Sequence, residues 1–285
     1  MKKILTTLAV FVFITTNVNA KTHNLIGGSV TDKFPSSIFT LLGPAKCTST
    51  KIAPKTYITA AHCLTLKKLN KNSTGLKRTL LKGDMIFLSK ASVVSGFKDF
   101  SQNYIDEIFV HPSYDHFQSL YAKKEMEDWK AASLSLDTAI FSLQNEEKDV
   151  KIASLDYSYI GQNERVSVLG YGCEVRFGEK AKKPIARKKI GVKTSSSVFD
   201  DRYIDFLSSE VLTNLEDNFI YSEGLYTKTE KVSICAGDSG GPLLREGKVV
   251  GTVSFAYADD FGKPYNNFFT RLSKAKDWVI ENSSL

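Results

Sequence analysis

An all-β fold is what this chain of 285 residues predicts, on three observations. Helical periodicity is scarce along it. Apolar and β-branched residues gather instead in short runs of strand length. Gly, Asn, Asp and Pro fall between those runs, where antiparallel strands need tight turns.

The beginning of the chain is set apart from the fold. Lys2 and Lys3 precede an almost wholly apolar run, Ile4 to Ile14, that is short for a bilayer span. Val18-Asn19-Ala20 puts small residues at the minus-three and minus-one positions of a cleavage site. Residues 1–20 therefore read as a secretory signal peptide. No later run approaches transmembrane length, so the expected product leaves the membrane once the signal is removed. It is expected to be a soluble, secreted monomer, extracellular or periplasmic.

Strands are predicted at Ser37–Leu42, Thr56–Thr59, Met85–Leu88, Ile108–Val110 and Ala139–Leu143. A second set falls at Arg165–Gly170, Lys189–Val192, Lys248–Phe255 and Asn267–Leu272, with a join between the halves near Ser154–Gln162. Ser273–Asn282 breaks the β pattern. It is expected to form a C-terminal helix, with Ser273 as N-cap and Trp278 packing back on the body.

The formal charge is +7, or +5 once Lys2 and Lys3 leave with the signal. The lysines are scattered, apart from local clusters at Lys67-Lys68 and Arg187-Lys188-Lys189, and read as a solvated surface. No nucleic-acid motif is present. Four cysteines, an even number in an exported chain, predict disulfides. None has the paired short spacing of a zinc site, and neither a metal nor a cofactor is expected.

Gly237-Asp238-Ser239-Gly240-Gly241-Pro242 sets a serine in a glycine-dense turn. Backbone can crowd a ligand there, and N–H groups can converge on one spot. Thr59-Ala60-Ala61-His62-Cys63 lies far upstream, with Asp137-Thr138-Ala139-Ile140 between the two. The order His, Asp, Ser with these neighbours resembles the chymotrypsin/trypsin family of serine endopeptidases, in a secreted, bacterial-type form. Leu25-Ile26-Gly27-Gly28, His111-Pro112-Ser113-Tyr114, Gly170-Tyr171-Gly172 and Val253-Ser254-Phe255 extend the likeness. Phe268-Phe269-Thr270-Arg271-Leu272 and Trp278-Val279-Ile280 carry it to the C-terminus. The resemblance implies two antiparallel six-stranded β-barrels, about 25–157 and 158–285, with the active site in the cleft between them.

It also implies roles. A serine hydroxyl at its ordinary pKa is a poor nucleophile. His62 can take the proton of Ser239 during attack and return it to the leaving amine. Asp137 would orient the imidazole, and its apolar surround (Leu134, Leu136, Ile140) suits a buried carboxylate. The rivals Asp115 and Asp128 lack the Ala-Ile-Phe-Ser-Leu continuation. The N–H groups of Gly237 and Ser239 would hold the oxyanion, worth roughly 3 kcal/mol each. Cys47 is expected to pair with Cys63. Cys235 has no downstream partner of the family's kind, which leaves Cys173. Asp238 would pair with a new amino terminus at Leu25 after loss of Lys21-Thr22-His23-Asn24, and Asn24 departs from the basic residue common before that cut.

Ser233 stands where a trypsin-like enzyme carries aspartate, and without that carboxylate a Lys/Arg preference lacks its counter-charge. Ala256 and Asn267 stand at pocket-wall positions. Asp259 and Asp260 lie near enough to restore basic specificity if one points inward. Ser254, Phe255 and Ala256 are expected along the protein or peptide substrate. Two stretches exceed a minimal family member: Leu64–Lys82, and Tyr114–Ser135 with a short polar helix around Lys123–Trp129. An alternative keeps the fold without the chemistry, as a catalytically silent homologue that binds a partner. An esterase-like hydrolase of another fold lacks support, because the Gly-x-Ser-x-Gly elbow is missing.

Overall fold

The computed structural model describes residues 28–43, 45–66, 78–115, 135–172, 186–187, 189–194, 209–224, 234, 236–257 and 265–283. In the first half the strands are β1 (Ser29–Val30), β2 (Ser37–Leu42), β3 (Ala45–Lys51), β4 (Thr56–Thr59), β5 (Thr65–Leu66), β6 (Arg78–Thr79), β7 (Met85–Ser89), β8 (Val93–Val94), β9 (Ser101–Val110) and β10 (Ala139–Leu143). In the second they are β11 (Arg165–Gly170), β12 (Ala186–Arg187), β13 (Lys189–Thr194), β14 (Phe219–Gly224), β15 (Pro242–Arg245), β16 (Lys248–Tyr257) and β17 (Tyr265–Arg271).

Six strands of the first half close into an antiparallel barrel in the order β10-β4-β3-β2-β7-β9. Closure pairs every strand on both sides and removes the open edges. Ile38, Leu42, Tyr57, Ile86, Ile105 and Phe141 fill the interior, where Tyr57 and Phe141 stack at 5.4 Å. Side chains alternate faces along a strand, so Ile58 and Ile140 point outward from β4 and β10. They stay apolar because Leu244, Val249, Leu272 and Val279 of the second half cover them. That second burial explains why β10 is apolar on both faces from Ala139 to Phe141.

Sequence reading did not anticipate β3. Its residues are mostly Thr, Ser and Lys, yet Thr48, Ser49, Thr50 and Lys51 are all buried. Each polar group finds a partner, as burial requires. Thr40 Oγ1 donates to Ser49 Oγ at 2.9 Å, and Lys51 Nζ donates to the Glu147 carbonyl at 2.8 Å and lies 3.1 Å from Glu146 Oε1. β9 begins at Ser101 rather than at Ile108.

The second half forms an antiparallel sheet in the order β13-β11-β15-β16-β17-β14, and β1 reaches across to extend it beside β13. Val166, Val168, Ile220, Leu243, Val253 and Phe269 make its core. The strands β14 and β15, and a helix at Ser209–Asn218, were not anticipated. The chain crosses between halves just after β10. Ala153 N–H donates to the Lys51 carbonyl, while Val249 N–H donates to Ser154 and Asp156 N–H donates to Val249. Two antiparallel β units and a C-terminal helix are thus the architecture, as the resemblance implies.

The C-terminal helix is shorter than expected, Lys276–Asn282, and its N-cap is Ala275, with no side-chain cap. Ser273 does not cap it, because the chain first makes tight turns. Lys274 N–H donates to the Arg271 carbonyl and Ala275 N–H to Leu272. Among the described residues no helix is long and apolar enough to cross a membrane.

Candidate active site

The site grows from the ends of β4 and β10. Ala139 pairs with Thr59 across these strands, which brings the residues just outside them together. A single helical turn, Ala61–Leu64, follows β4. The Cys47–Cys63 disulfide, with Cα atoms 6.3 Å apart, ties that turn to β3, as the resemblance implies. His62 stands on the turn with 29% of its side chain exposed, opposite Asp137 at 8%.

Asp137 grips His62 at two points. Its Oδ2 lies 2.7 Å from the imidazole Nδ1, and its Oδ1 accepts the His62 backbone N–H at 2.9 Å. Ser254 Oγ donates to Oδ2 at 2.6 Å, and Thr270 Oγ1 donates to the Asp137 carbonyl at 3.2 Å. Burial alone would push the Asp137 carboxyl up. The facing His62 charge, the His62 and Ser254 side-chain hydrogen bonds and the His62 backbone N–H outweigh it and hold the carboxyl below its ordinary value. A carboxylate accepts only, so Nδ1 carries the proton that it shares with Asp137, and Nε2 is left as the basic nitrogen.

The serine turn is docked against the same place from the second half. Thr48 N–H donates to the Ser239 carbonyl at 2.9 Å, and Cys63 Sγ lies 3.8 Å from that oxygen. Gly240 N–H donates to Val253, and Gly241 N–H donates to Asp238. Gly240 has φ +77°, and a Cβ there would lie 2.5 Å from the Thr48 carbonyl oxygen and 2.7 Å from the Ala60 nitrogen. Only glycine lets the chain press so close to the strand end that carries His62. Gly237, at φ +103°, is less crowded: a Cβ there would lie 3.2 Å from the Gly172 Cα and 3.3 Å from the Tyr171 carbonyl oxygen. Asp238 is wholly buried, and its Oδ1 accepts the Gly172 N–H at 2.7 Å.

Other expected positions fare differently. Ser254 sits at a bulge, since β16 and β17 shift register between Val253 and Phe255; its hydroxyl is committed to Asp137. Phe255 stacks on Phe268 at 4.3 Å and meets Phe219 edge-on at 5.6 Å. The Ala256 backbone pairs with Asn267. Asn267 is fully buried, and its Oδ1 accepts the Ile234 N–H at 3.0 Å, tying β17 to the segment before the serine turn. Asp115 lies in the turn after His111, with its carboxyl raised by burial. Leu25, Asp128, Cys173, Ser233, Cys235, Asp259 and Asp260 lie outside the described residues, as do the signal, the propeptide and the helix expected at Lys123–Trp129. The ligand atoms of Cys47, His62 and Cys63 lie within 4.8 Å of one another, but both sulfurs are spent in the disulfide. Sequence reading missed Thr48, whose only signal was its place beside Cys47.

A family model described as Trypsin matches residues 27–279. The chain belongs to the trypsin family. It is similar to "Trypsin, alkaline C" of Manduca sexta at 21% identity over 274 residues, 93% of each chain. A shorter alignment, 34% identical over 82 residues, covers 29% of this chain and 31% of a trypsin of Phaedon cochleariae. Another, 44% identical over 48 residues, covers 17% of this chain and 21% of Chymotrypsin-2 of Vespa crabro. Among solved structures the fold is similar to human heparin binding protein, with TM-score 0.55 and 18% identity over 90% of this chain and 95% of that one. A mutant of that protein matches with TM-score 0.58 and 19% identity over 90% and 97% of the two chains. At such identities these structures bear on fold alone. In this trypsin-family chain a buried carboxylate, a half-exposed imidazole and a serine turn thus meet where the two β units join.

Proposed function

We propose that this trypsin-family protein is a secreted serine endopeptidase that hydrolyses protein or peptide substrates through His62, Asp137 and Ser239. The observation that carries the reading is the double grip of Asp137 on His62, beside a serine turn whose backbone is bonded to the disulfide strand. Asp137 holds the Nδ1–H tautomer and favours the imidazolium that forms when Nε2 takes the Ser239 proton. Ser239 Oγ then bonds to the scissile carbonyl carbon. The C–N bond breaks, the amine leaves with the proton from His62, and water repeats the sequence to free the acid and the serine. The N–H groups of Gly237 and Ser239 face the developing oxyanion. Ser254 adds a donor to Asp137, and its own backbone lies along the substrate strand with those of Phe255 and Ala256.

Activation follows removal of residues 1–24, after which the Leu25 ammonium pairs with the buried Asp238 carboxylate. With serine at position 233 and Asn267 in the wall, the primary pocket takes apolar, aromatic or smaller side chains before Lys or Arg. No cofactor enters this chemistry. The second reading, a silent homologue that binds a partner, has the intact His62–Asp137 couple against it.

Labelling decides between them. The processed protein is expected to react covalently with an organophosphonate at Ser239 and to cleave a peptide library, and Ser239→Ala is expected to lose both. A processed protein, beginning at Leu25, that neither labels nor cleaves refutes the peptidase reading.

A further inference from the structure

We propose that Thr48 is a positioning residue for the oxyanion turn, holding both residues whose N–H groups face the oxyanion. The inference rests on the peptidase reading and deepens it. Thr48 lies on β3, next to the disulfide and outside the serine turn, and is wholly buried. Its hydroxyl donates to the Gly237 carbonyl at 2.9 Å, and its backbone N–H donates to the Ser239 carbonyl at 2.9 Å. One residue of the first half therefore clamps the carbonyls on either side of Asp238. The same hydroxyl oxygen accepts the Tyr171 N–H at 3.0 Å. The Thr48 carbonyl is anchored in turn by Thr59 Oγ1 at 3.0 Å, on the strand that ends at the His62 turn.

The clamp matters because of what it holds. Gly237 has φ +103°, a region where glycine is free to move between conformers. No side chain of its own restrains it. Fixing its carbonyl sets one of the two peptide planes that meet at its Cα. On the other side of the residue, a Cβ would lie 3.2 Å from the Gly172 Cα and 3.3 Å from the Tyr171 carbonyl oxygen, so neighbouring backbone flanks it there. An oxyanion donor works only when it is aimed before charge develops, so the hydroxyl's contribution is to direction. Through β3 and β4 the same clamp links donor placement to the histidine turn.

Three variants test this: Thr48→Val keeps the shape and removes the hydroxyl, Thr48→Ser keeps the hydroxyl, and Ser239→Ala removes the nucleophile. Thr48→Val is expected to lower kcat about tenfold or more with KM within about twofold, and to slow organophosphonate labelling in parallel. Thr48→Ser should restore most of both. Hydrogen exchange provides a readout that needs no activity. The Tyr171 amide, which loses its acceptor, should exchange faster in Thr48→Val than in wild type, and again in Thr48→Val made on Ser239→Ala. A Thr48→Val enzyme with unchanged kcat overturns the inference while leaving the peptidase reading intact. Unchanged exchange at Tyr171 overturns the clamp itself. Wild-type protein that never labels defeats the peptidase reading and with it a catalytic role for Thr48.

Discussion

Two of the seams that join the halves of this protein differ in material. Under the C-terminal helix the contact is apolar: Ile52, Ile58, Leu136 and Ile140 from the first half meet Leu244, Val249, Leu272 and Val279 from the second. At the serine turn the contact is polar, made of the Thr48 bonds and of glycines that press backbone against backbone. Burying a large aliphatic side chain stabilises by about 1.5–3 kcal/mol, while a neutral hydrogen bond nets about 1 kcal/mol. The apolar seam therefore supplies most of the adhesion and tolerates small shifts, because hydrophobic contact has no preferred direction. The polar seam adds less stability but fixes angles. Damage to the two should separate stability from catalysis.

The sharpest way to break that contrast is Gly240→Ala. The new Cβ would crowd the Thr48 carbonyl oxygen and the Ala60 nitrogen, both backbone atoms that cannot swing aside, at a residue with φ +77°. The turn must back away from the His62 strand. A displacement near 1 Å at a reacting group costs on the order of 100-fold, so kcat/KM is expected to fall at least about that much. Stability should drop by about 2–3 kcal/mol, which chemical denaturation would read. Full activity in this variant would show that the polar seam does not set the catalytic geometry.

Ser254→Ala probes the polar seam more gently. It removes one donor from Asp137 Oδ2 and leaves both His62 contacts. A hydrogen bond to a charged group contributes about 1.5–3 kcal/mol, so kcat should fall about tenfold. The pH dependence has a defined sign. The folded Asp137 carboxyl lies below its ordinary value. Its stabilisation is complete above the unfolded pKa, about 3.9, and is lost as pH falls through the lower folded value. Losing the Ser254 donor raises the folded value toward the unfolded one, so less Asp137-linked stability is left to lose, and the acid loss of thermal stability should be shallower and end at higher pH in the variant. Superimposable acid limbs would mean that the hydroxyl does not bias the Asp137 charge.

The contrast between seams also explains what was legible in the sequence. Strands with apolar or β-branched residues, such as β2, β4, β7 and β10, were readable because burial is written in side-chain type. β3 was not, since its hydroxyls and Lys51 are buried through partners that lie far along the chain. β14 opens on Phe219-Ile220-Tyr221 and carried the same kind of signal, but was not read as a strand. The His, Asp and Ser motifs showed which residues to expect at the site. They were silent on Thr48, whose importance exists only when Gly237, Ser239 and Tyr171 are brought to it. Ser254 was expected along the substrate; the contact of its hydroxyl with Asp137, made at the bulge in β16, was not legible.

The smallest effect is expected at the apolar seam, where His111 meets the C-terminal helix. Its ring stands edge-on to Trp278 at 5.1 Å, its Nδ1 lies 2.8 Å from Ser113 Oγ, and its N–H donates to the Thr138 carbonyl at 3.1 Å. Half-buried there, the imidazole has its pKa pushed down to about 4 by desolvation, so it is neutral at pH 7. The unfolded chain takes up this proton near pH 6.5. Between pH 6.5 and about 4 the unfolded state thus binds more protons than the folded one, and stability falls as pH falls through that window. His111→Phe keeps a ring against Trp278 and cannot titrate. It should be less stable at pH 7 by about 1 kcal/mol, through loss of the Ser113 contact, but its thermal midpoint should decline less steeply between pH 7 and about 4. Activity at pH 7 should stay within about twofold, because the His111 ring contacts Trp278 and Ser113 rather than His62 or Asp137, and only interactions that strengthen in the transition state lower the barrier. A large loss of activity without loss of stability would show that the apolar seam, too, sets angles at the Asp137 loop.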